Sequence, residues 1–458
     1  FARRLDRSGN AFVLIDKQSN LYKQLQELDQ LHVLRFWDEL SANEQVGLAR
    51  QLDSIDMKLL DDFVNLLHKP EGATQNISPC EVHKRCECKH HQEVGEEIIR
   101  RGELGVLTVA GGDGTRLGWS GPKGTYPATP LSGKSLFQLI AEQIVYAQES
   151  YGVIIPWYIM ASVSNSELTK SFLLDNNCFG LDRANIFVFD QRQVPTLDEN
   201  GKLILKTKSS IVTNPDGHGG IISGLQQSGA LAEMAGRGIE FLSYVQVDNP
   251  LARVIDPIFL AMHVTDDASS KEVSSKCVPK TNPEERVGVF CRKDGSVSIQ
   301  EYSDLTDAQS ADITGGELTY GSGSIAIHMF SRSFLEQIAS SLPWHKAMKK
   351  VDCLEGECSV LKFETFVFDV LPMAKDSLVV QVKREDEFAP IKNAKGDDSP
   401  MTSQSLQASR SRRWLMKAGI DIEDGAEVEL SPLSGASPSE IKASKIPNPI
   451  KAGQQLVV

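Results

Sequence analysis

From residue 107 to 123 the chain reads LTVAGGDGTRLGWSGPK, and those residue types suit one chemistry, the holding of a polyphosphate. Gly111, Gly112, Gly114 and Gly118 leave no Cβ between the backbone N–H groups and an approaching phosphate. Thr115 and Arg116 lie among them and Lys123 follows Pro122, so two cations are at hand to balance a nucleoside triphosphate. A dinucleotide-binding fingerprint needs a third glycine where this chain has Leu117. Ser132-Gly133-Lys134-Ser135 ends like a P-loop, but Ala128 occupies the place of its first glycine, and Ser132 or Ser135 reads as the start signal of a helix. A glycine-rich turn in any α/β protein would show the same composition.

Three further segments carry candidate chemistry. Asn214-Pro215-Asp216-Gly217-His218-Gly219-Gly220 is a second glycine loop. Val245-Gln246-Val247-Asp248-Asn249-Pro250 ends an apolar run with a carboxylate, and Glu387-Phe388-Ala389-Pro390-Ile391-Lys392 sets a lysine after a proline turn. Asp248 could equally cap a turn and Lys392 could be a solvated surface group.

The elements that must position these residues follow from the hydropathy pattern. Candidate strands at 104–110, 154–160, 186–189, 241–247 and 287–291 alternate with helices at 135–147 and 166–176. This alternation predicts an α/β fold, a mixed and mostly parallel central sheet with helices on both faces. Ligands of such sheets bind at the carboxyl ends of the strands, where both the glycine loop and Asp248 fall. The boundaries expected are a helical N-terminal region over 1–100, a catalytic domain over 101–384 and a small β-rich C-terminal module over 385–458. A loop is expected from 70 to 88, and the serine-rich run at 403–411 reads as loop.

A chain of 458 residues with 41% apolar and 24% charged residues has the composition of a globular protein of two or three domains. No run approaches a membrane span, and Phe1-Ala2-Arg3-Arg4 has no apolar stretch behind it, so neither membrane insertion nor secretion is expected and a cytoplasmic location is. The net charge of −13 argues against nucleic acid as a partner. Eight cysteines in so long a chain suggest reduced thiols, not a disulfide scaffold. Six residues, Cys80, His83, Cys86, Cys88, His90 and His91, crowd into one short stretch, and the first four make a possible Zn²⁺ set. A polar connector rich in Cys and His would look alike.

Taken together, the glycine loops and the segments at Asp248 and Lys392 closely resemble the UDP-N-acetylhexosamine pyrophosphorylases, within the wider UDP-sugar pyrophosphorylase family. The likeness runs from Leu34-Arg35-Phe36-Trp37 through Ile155-Pro156-Trp157-Tyr158, Glu301-Tyr302-Ser303 and Phe366-Val367-Phe368-Asp369 to Glu429-Leu430-Ser431-Pro432. The resemblance implies a nucleotide-diphospho-sugar transferase fold. It implies a uridylyltransferase that converts UTP and a sugar 1-phosphate, with Mg²⁺, to a UDP-sugar and pyrophosphate, as a monomer or homodimer. By the family pattern Gly111, Gly112, Gly114, Thr115 and Arg116 line the UTP site and Lys123 meets the phosphates. Gln191 and Gly217 contact uridine, Asp248 holds the metal, and Lys392 meets the sugar phosphate or the UDP phosphates. His218, Asn249 and Ser324 complete the substrate-binding set.

Two departures bear on the sugar. This chain has His218 where the acetylhexosamine enzymes usually have asparagine, and Gly323-Ser324-Ile325 where they have Gly-Asn-Ile. Serine offers a different donor set and a shorter reach, which can redirect substrate preference. On overall likeness N-acetylglucosamine 1-phosphate remains the first expectation, with glucose 1-phosphate close behind. His218 also admits a covalent uridylyl route. A non-catalytic UDP-sugar binder is the competing class, against which the presence of Lys123, Asp248 and Lys392 together argues.

Overall fold

The computed structural model describes residues 4–5, 11–12, 15, 17–67, 76–338 and 342–458. Phe1, Ala2 and Arg3 and positions 70–75 of the expected 70–88 loop lie outside the described residues. The chain forms two compact units, one from 1–75, 192–220 and 343–366, the other from 76–191, 221–342 and 367–458.

The first unit holds the helices expected near the N-terminus, α1 (Asn20–Glu27), α2 (Ala42–Asp53) and α3 (Met57–Leu67). The Ser19 side chain accepts the Tyr22 N–H to start α1, and Ser41 and Glu44 form a reciprocal capping box on α2. Their buried stripes, Leu48, Ala49 and Leu52 then Leu59, Leu60 and Phe63, are too narrow to make a core alone. Val194, Leu197, Leu205, Ile211 and Phe363 complete it from far along the chain. Phe63 stacks on Phe363 with ring centroids 3.9 Å apart. Phe363 belongs to the hairpin His345–Cys353 with Gly356–Glu364, whose short turn brings Cys353 and Cys358 into a disulfide. The expectation of wholly reduced cysteines is thereby corrected at this pair.

The second unit is built on an eleven-stranded sheet. Its main path uses β1 (His83–Lys84), β2 (Leu104–Val109), β3 (Trp157–Ala161), β4 (Ile186–Asp190), β5 (Phe241–Gln246), β6 (Val273–Pro279), β7 (Ser322–Ser331) and β8 (Ser377–Gln381). The spatial order is β1-β8-β6-β7-β5-β2-β3-β4, parallel throughout except that β7 runs antiparallel to both its neighbours. The sheet is thus mixed and mostly parallel. Alternate residues of one strand feed different cores: Trp157 and Ile159 pack with α5 (Leu136–Tyr151), and Tyr158 and Met160 with Leu225 and Met234 on the other face. Both faces are covered, which is why these strands read as nearly continuous apolar runs. Upstream, α4 (Lys89–Arg100) packs against the helix Pro257–Thr265.

The serine-rich stretch differs from its reading. Pro400–Lys417 is an 18-residue helix, started by a Ser399–Thr402 capping box with Pro400 in its first turn. Its buried residues are Ser403, Gln407, Ser411 and Leu415, four apart, so the inward stripe is polar and hydropathy hides the helical period. Ser403 Oγ donates to the Ala389 carbonyl and Gln407 Nε2 to that of Ala128. Beyond it, the small C-terminal core of Leu415, Ile420, Val428, Leu430 and Ile450 carries one parallel pair, Glu427–Glu429 with Gln455–Val457. Helix therefore outweighs strand in this module. Among the described residues no helix is long and apolar enough to cross a membrane.

Candidate active site

The first glycine loop leaves the carboxyl end of β2 and doubles back on itself. Gly114 N–H donates to Gly121 O at 2.9 Å and Lys123 N–H to Gly112 O at 3.0 Å. Gly111 lies close against Gln191, whose Oε1 would stand 2.7 Å from a Cβ at this position. Gly112 instead faces open space, and Thr115 and Arg116 are exposed in the short turn Thr115–Leu117. Gln191, buried just past the end of β4, donates its N–H to Ala161 O at 2.7 Å and so joins the loop at the same sheet edge.

The neighbouring strand supplies the carboxylate. Gln246 of β5 pairs with Val109 of β2, so Asp248 emerges beside the loop. Lys123 Nζ lies 3.4 Å from Asp248 Oδ2, with the two side chains only 15% and 17% exposed. Two residues from separate motifs, 125 apart in sequence, thus form one pair. Ile391 N–H donates to Asp248 O at 2.8 Å, which brings Lys392 alongside. Lys392 Nζ is 3.7 Å from Asp398 Oδ2, and burial raises the Asp398 carboxyl above its ordinary value against the pull of Lys392. The two face a recess of about 610 Å³ that Arg286, Arg384 and Phe388 also line. Because β7 runs antiparallel, its first residues extend past the carboxyl end of β5, and Ser324, opposite Cys277, falls at that edge too.

Asn249, expected to contact substrate, is buried and bonded within the chain. Its Nδ2 donates to Glu387 O at 2.7 Å and its Oδ1 accepts the Ala389 N–H at 3.0 Å, so both ends of the amide clamp the turn that carries Lys392. Beneath this turn lies a set of charges the sequence reading missed. Lys276, fully buried, donates to Glu387 Oε2 at 2.6 Å and to Asp256 Oδ2 at 2.7 Å, and Arg85 donates to Asp256 Oδ1 at 2.8 Å. Burial opposes the charge on Asp256, but Arg85 and Lys276 outweigh it and hold the carboxyl well below the usual range. The one sequence signal was a lysine in the middle of β6, a strand with no other charge.

Gly217 and His218 belong to the first unit. Gly217 has φ +82°, and a Cβ there would stand 2.3 Å from Thr365 O, so the turn admits only glycine. The His218 ring stacks on Phe366 at 5.3 Å, and His345 stacks on the same ring at 4.5 Å. Of the Cys/His stretch, the structure gathers Cys86, Cys88 and His91. Cys80 and His83 stand outside this group: burial pushes the Cys80 thiol up to about 12, and His83 Nε2 lies 4.0 Å from Glu81.

A mostly parallel sheet whose adjoining carboxyl ends present a glycine loop, a lysine and a carboxylate is the architecture of an α/β nucleotidyltransferase. The sequence model of UTP–glucose-1-phosphate uridylyltransferase matches residues 67–433. UDP-N-acetylglucosamine diphosphorylase 2 of Arabidopsis thaliana is 35% identical over 92% of this chain and 91% of its own length. UDP-N-acetylhexosamine pyrophosphorylase-like protein 1 of Homo sapiens is 33% identical over 92% and 90%. The uridine diphosphate N-acetylglucosamine pyrophosphorylase of Trypanosoma brucei, solved with an inhibitor, superimposes with a TM-score of 0.81 at 26% identity, over 93% of this chain and 94% of that one. The chain belongs to the UTP–glucose-1-phosphate uridylyltransferase family, the UDP-sugar pyrophosphorylases.

Proposed function

We propose that this enzyme transfers the uridylyl group of UTP to N-acetylglucosamine 1-phosphate. A phosphate oxygen of the sugar phosphate attacks the α-phosphorus in line and forms the new P–O bond. The bond from that phosphorus to the bridging oxygen breaks, and pyrophosphate leaves with the electron pair. The nucleophile is already an anion, so no protein base is required, and catalysis consists of positioning two polyanions and balancing their charge.

The observation that carries this reading is the Lys123–Asp248 pair beside the glycine loop. Lys123 supplies positive charge to the phosphates, and the exposed Arg116 and the open backbone at Gly112 supply more. Gln191, against Gly111, reads the uracil. Lys392, held by the Asn249 clamp, exchanges Asp398 for a substrate phosphate. Asp248 suits Mg²⁺, an ion commonly held by one or two carboxylates with phosphates and water, and the ion would neutralise phosphate charge there. The names of the Arabidopsis and trypanosome relatives support the acetylated sugar. Ser324 and His218, where the acetylhexosamine pyrophosphorylases usually have asparagine, favour glucose 1-phosphate as the second reading. Pyrophosphate release with UTP, Mg²⁺ and each sugar phosphate in turn tests the choice. The acetylated sugar is expected to react faster, and a large preference for glucose 1-phosphate would overturn the assignment.

A further inference from the structure

We propose that Cys86, Cys88 and His91 bind a single zinc ion, a site separate from the transfer chemistry, with water in the fourth position. The spacing Cys-x-Cys-x-x-His places two soft thiolate donors and an imidazole in one short segment. Their ligand atoms all lie within 4.8 Å of one another. Tetrahedral zinc with bonds of about 2.3 Å to sulfur and about 2.0 Å to nitrogen sets its ligand atoms roughly 3.5–3.8 Å apart, a gap that side-chain rotation closes.

The fold accounts for the convergence. Cys86 sits in the connection from β1 to α4, Cys88 is the N-cap of α4, and His91 is the third residue of its first turn. N-cap and third-residue side chains face each other across the start of a helix. A second, independent observation points to a ligand. His91 Nδ1 is buried and has no hydrogen-bond partner among the described residues. An imidazole nitrogen in that state is costly to leave alone, and coordination would satisfy it.

The site has a structural consequence. Cys86 directly follows Arg85, whose guanidinium anchors Asp256 and through it Lys276 and Glu387. Zinc here would pin the β1–α4 connection and, with it, the charge network beneath the Lys392 turn.

The test uses the full-length chain, stripped of metal under reducing conditions and titrated with Co²⁺ alone, then with Zn²⁺ against a chromophoric chelator. The expected result is one ion per chain, with the sulfur-to-cobalt charge-transfer band and tetrahedral d–d bands. Both signals vanish in Cys88→Ser and in His91→Gln, while Cys80→Ser keeps them. A raised melting temperature of the unaltered chain on adding Zn²⁺ supports the site without any substitution. Absence of binding by the unaltered chain, or equal binding by a Cys86→Ser/Cys88→Ser/His91→Gln variant, overturns the proposal.

Discussion

Replacing Lys123 by methionine keeps the length of the side chain and removes its charge. At 3.4 Å from Asp248 the gross attraction is about 5 kcal/mol with an effective dielectric constant near 20. Because only the lysine leaves, Asp248, 17% exposed, keeps its desolvation cost without its partner, and the fold should lose up to about 3 kcal/mol. In the reaction the lysine faces charge that grows on the phosphates, and loss of one such preorganised group costs about 3–4 kcal/mol. That corresponds to a fall in kcat of roughly two to three orders of magnitude. Asp248→Asn should fall comparably, and because the two residues act as one unit the double variant should lose less than the product of the single losses. The assay is initial-rate pyrophosphate release at saturating UTP and sugar phosphate, beside thermal melting of each variant. Lys123→Met turning over within tenfold of the unaltered enzyme would refute the catalytic role. A collapse of the melting temperature with kcat per folded molecule preserved would make the pair structural instead.

Asn249→Ala leaves the Glu387 carbonyl and the Ala389 N–H buried without their partner, at a cost of about 2–4 kcal/mol. Its melting temperature should fall, and KM for the sugar phosphate should rise more than KM for UTP. Gly217→Ala forces alanine to φ +82° with its Cβ against Thr365 O, and should lower stability by more than the roughly 1–3 kcal/mol of backbone strain alone. Gly47→Ala, in a helix interior with open space around it, should instead raise stability by about 0.5–1 kcal/mol in denaturant titrations. The fourth expectation concerns acid. Burial lowers the His263 imidazole from 6.5 to about 3, so its contribution is complete above pH 6.5. As pH falls towards 3 the unfolded chain takes up a proton that the folded one refuses, and stability drops by up to about 1.4 kcal/mol per pH unit. His263→Gln should flatten this loss in denaturant midpoints compared at pH 7 and pH 5.5.

The parts of the site that lie on apolar strands could be read from the chain. Leu104–Val109 and Phe241–Gln246 are short buried runs, each followed one residue later by the glycines or by Asp248, so the glycine loop and Asp248 had to leave a sheet edge. That both edges are the same one, and adjacent, is a matter of strand order, which local pattern does not encode. Helix Pro400–Lys417 escaped because its inward stripe is serine and glutamine, whose hydrogen bonds to the Ala389 and Ala128 carbonyls do the work usually done by leucine. The role of Asn249 escaped because its partners, Glu387 and Ala389, lie about 140 residues away. The same holds for the first unit, whose helices borrow about a third of their core from residues 194–211 and from Phe363.

The most direct measurement follows a label. With UTP carrying ³²P at the α-position, N-acetylglucosamine 1-phosphate and Mg²⁺, the account predicts that the label appears in the UDP-sugar and that unlabelled pyrophosphate is released in equal amount. Label recovered in pyrophosphate or free phosphate, or no UDP-sugar from any sugar 1-phosphate, would contradict attack at the α-phosphorus.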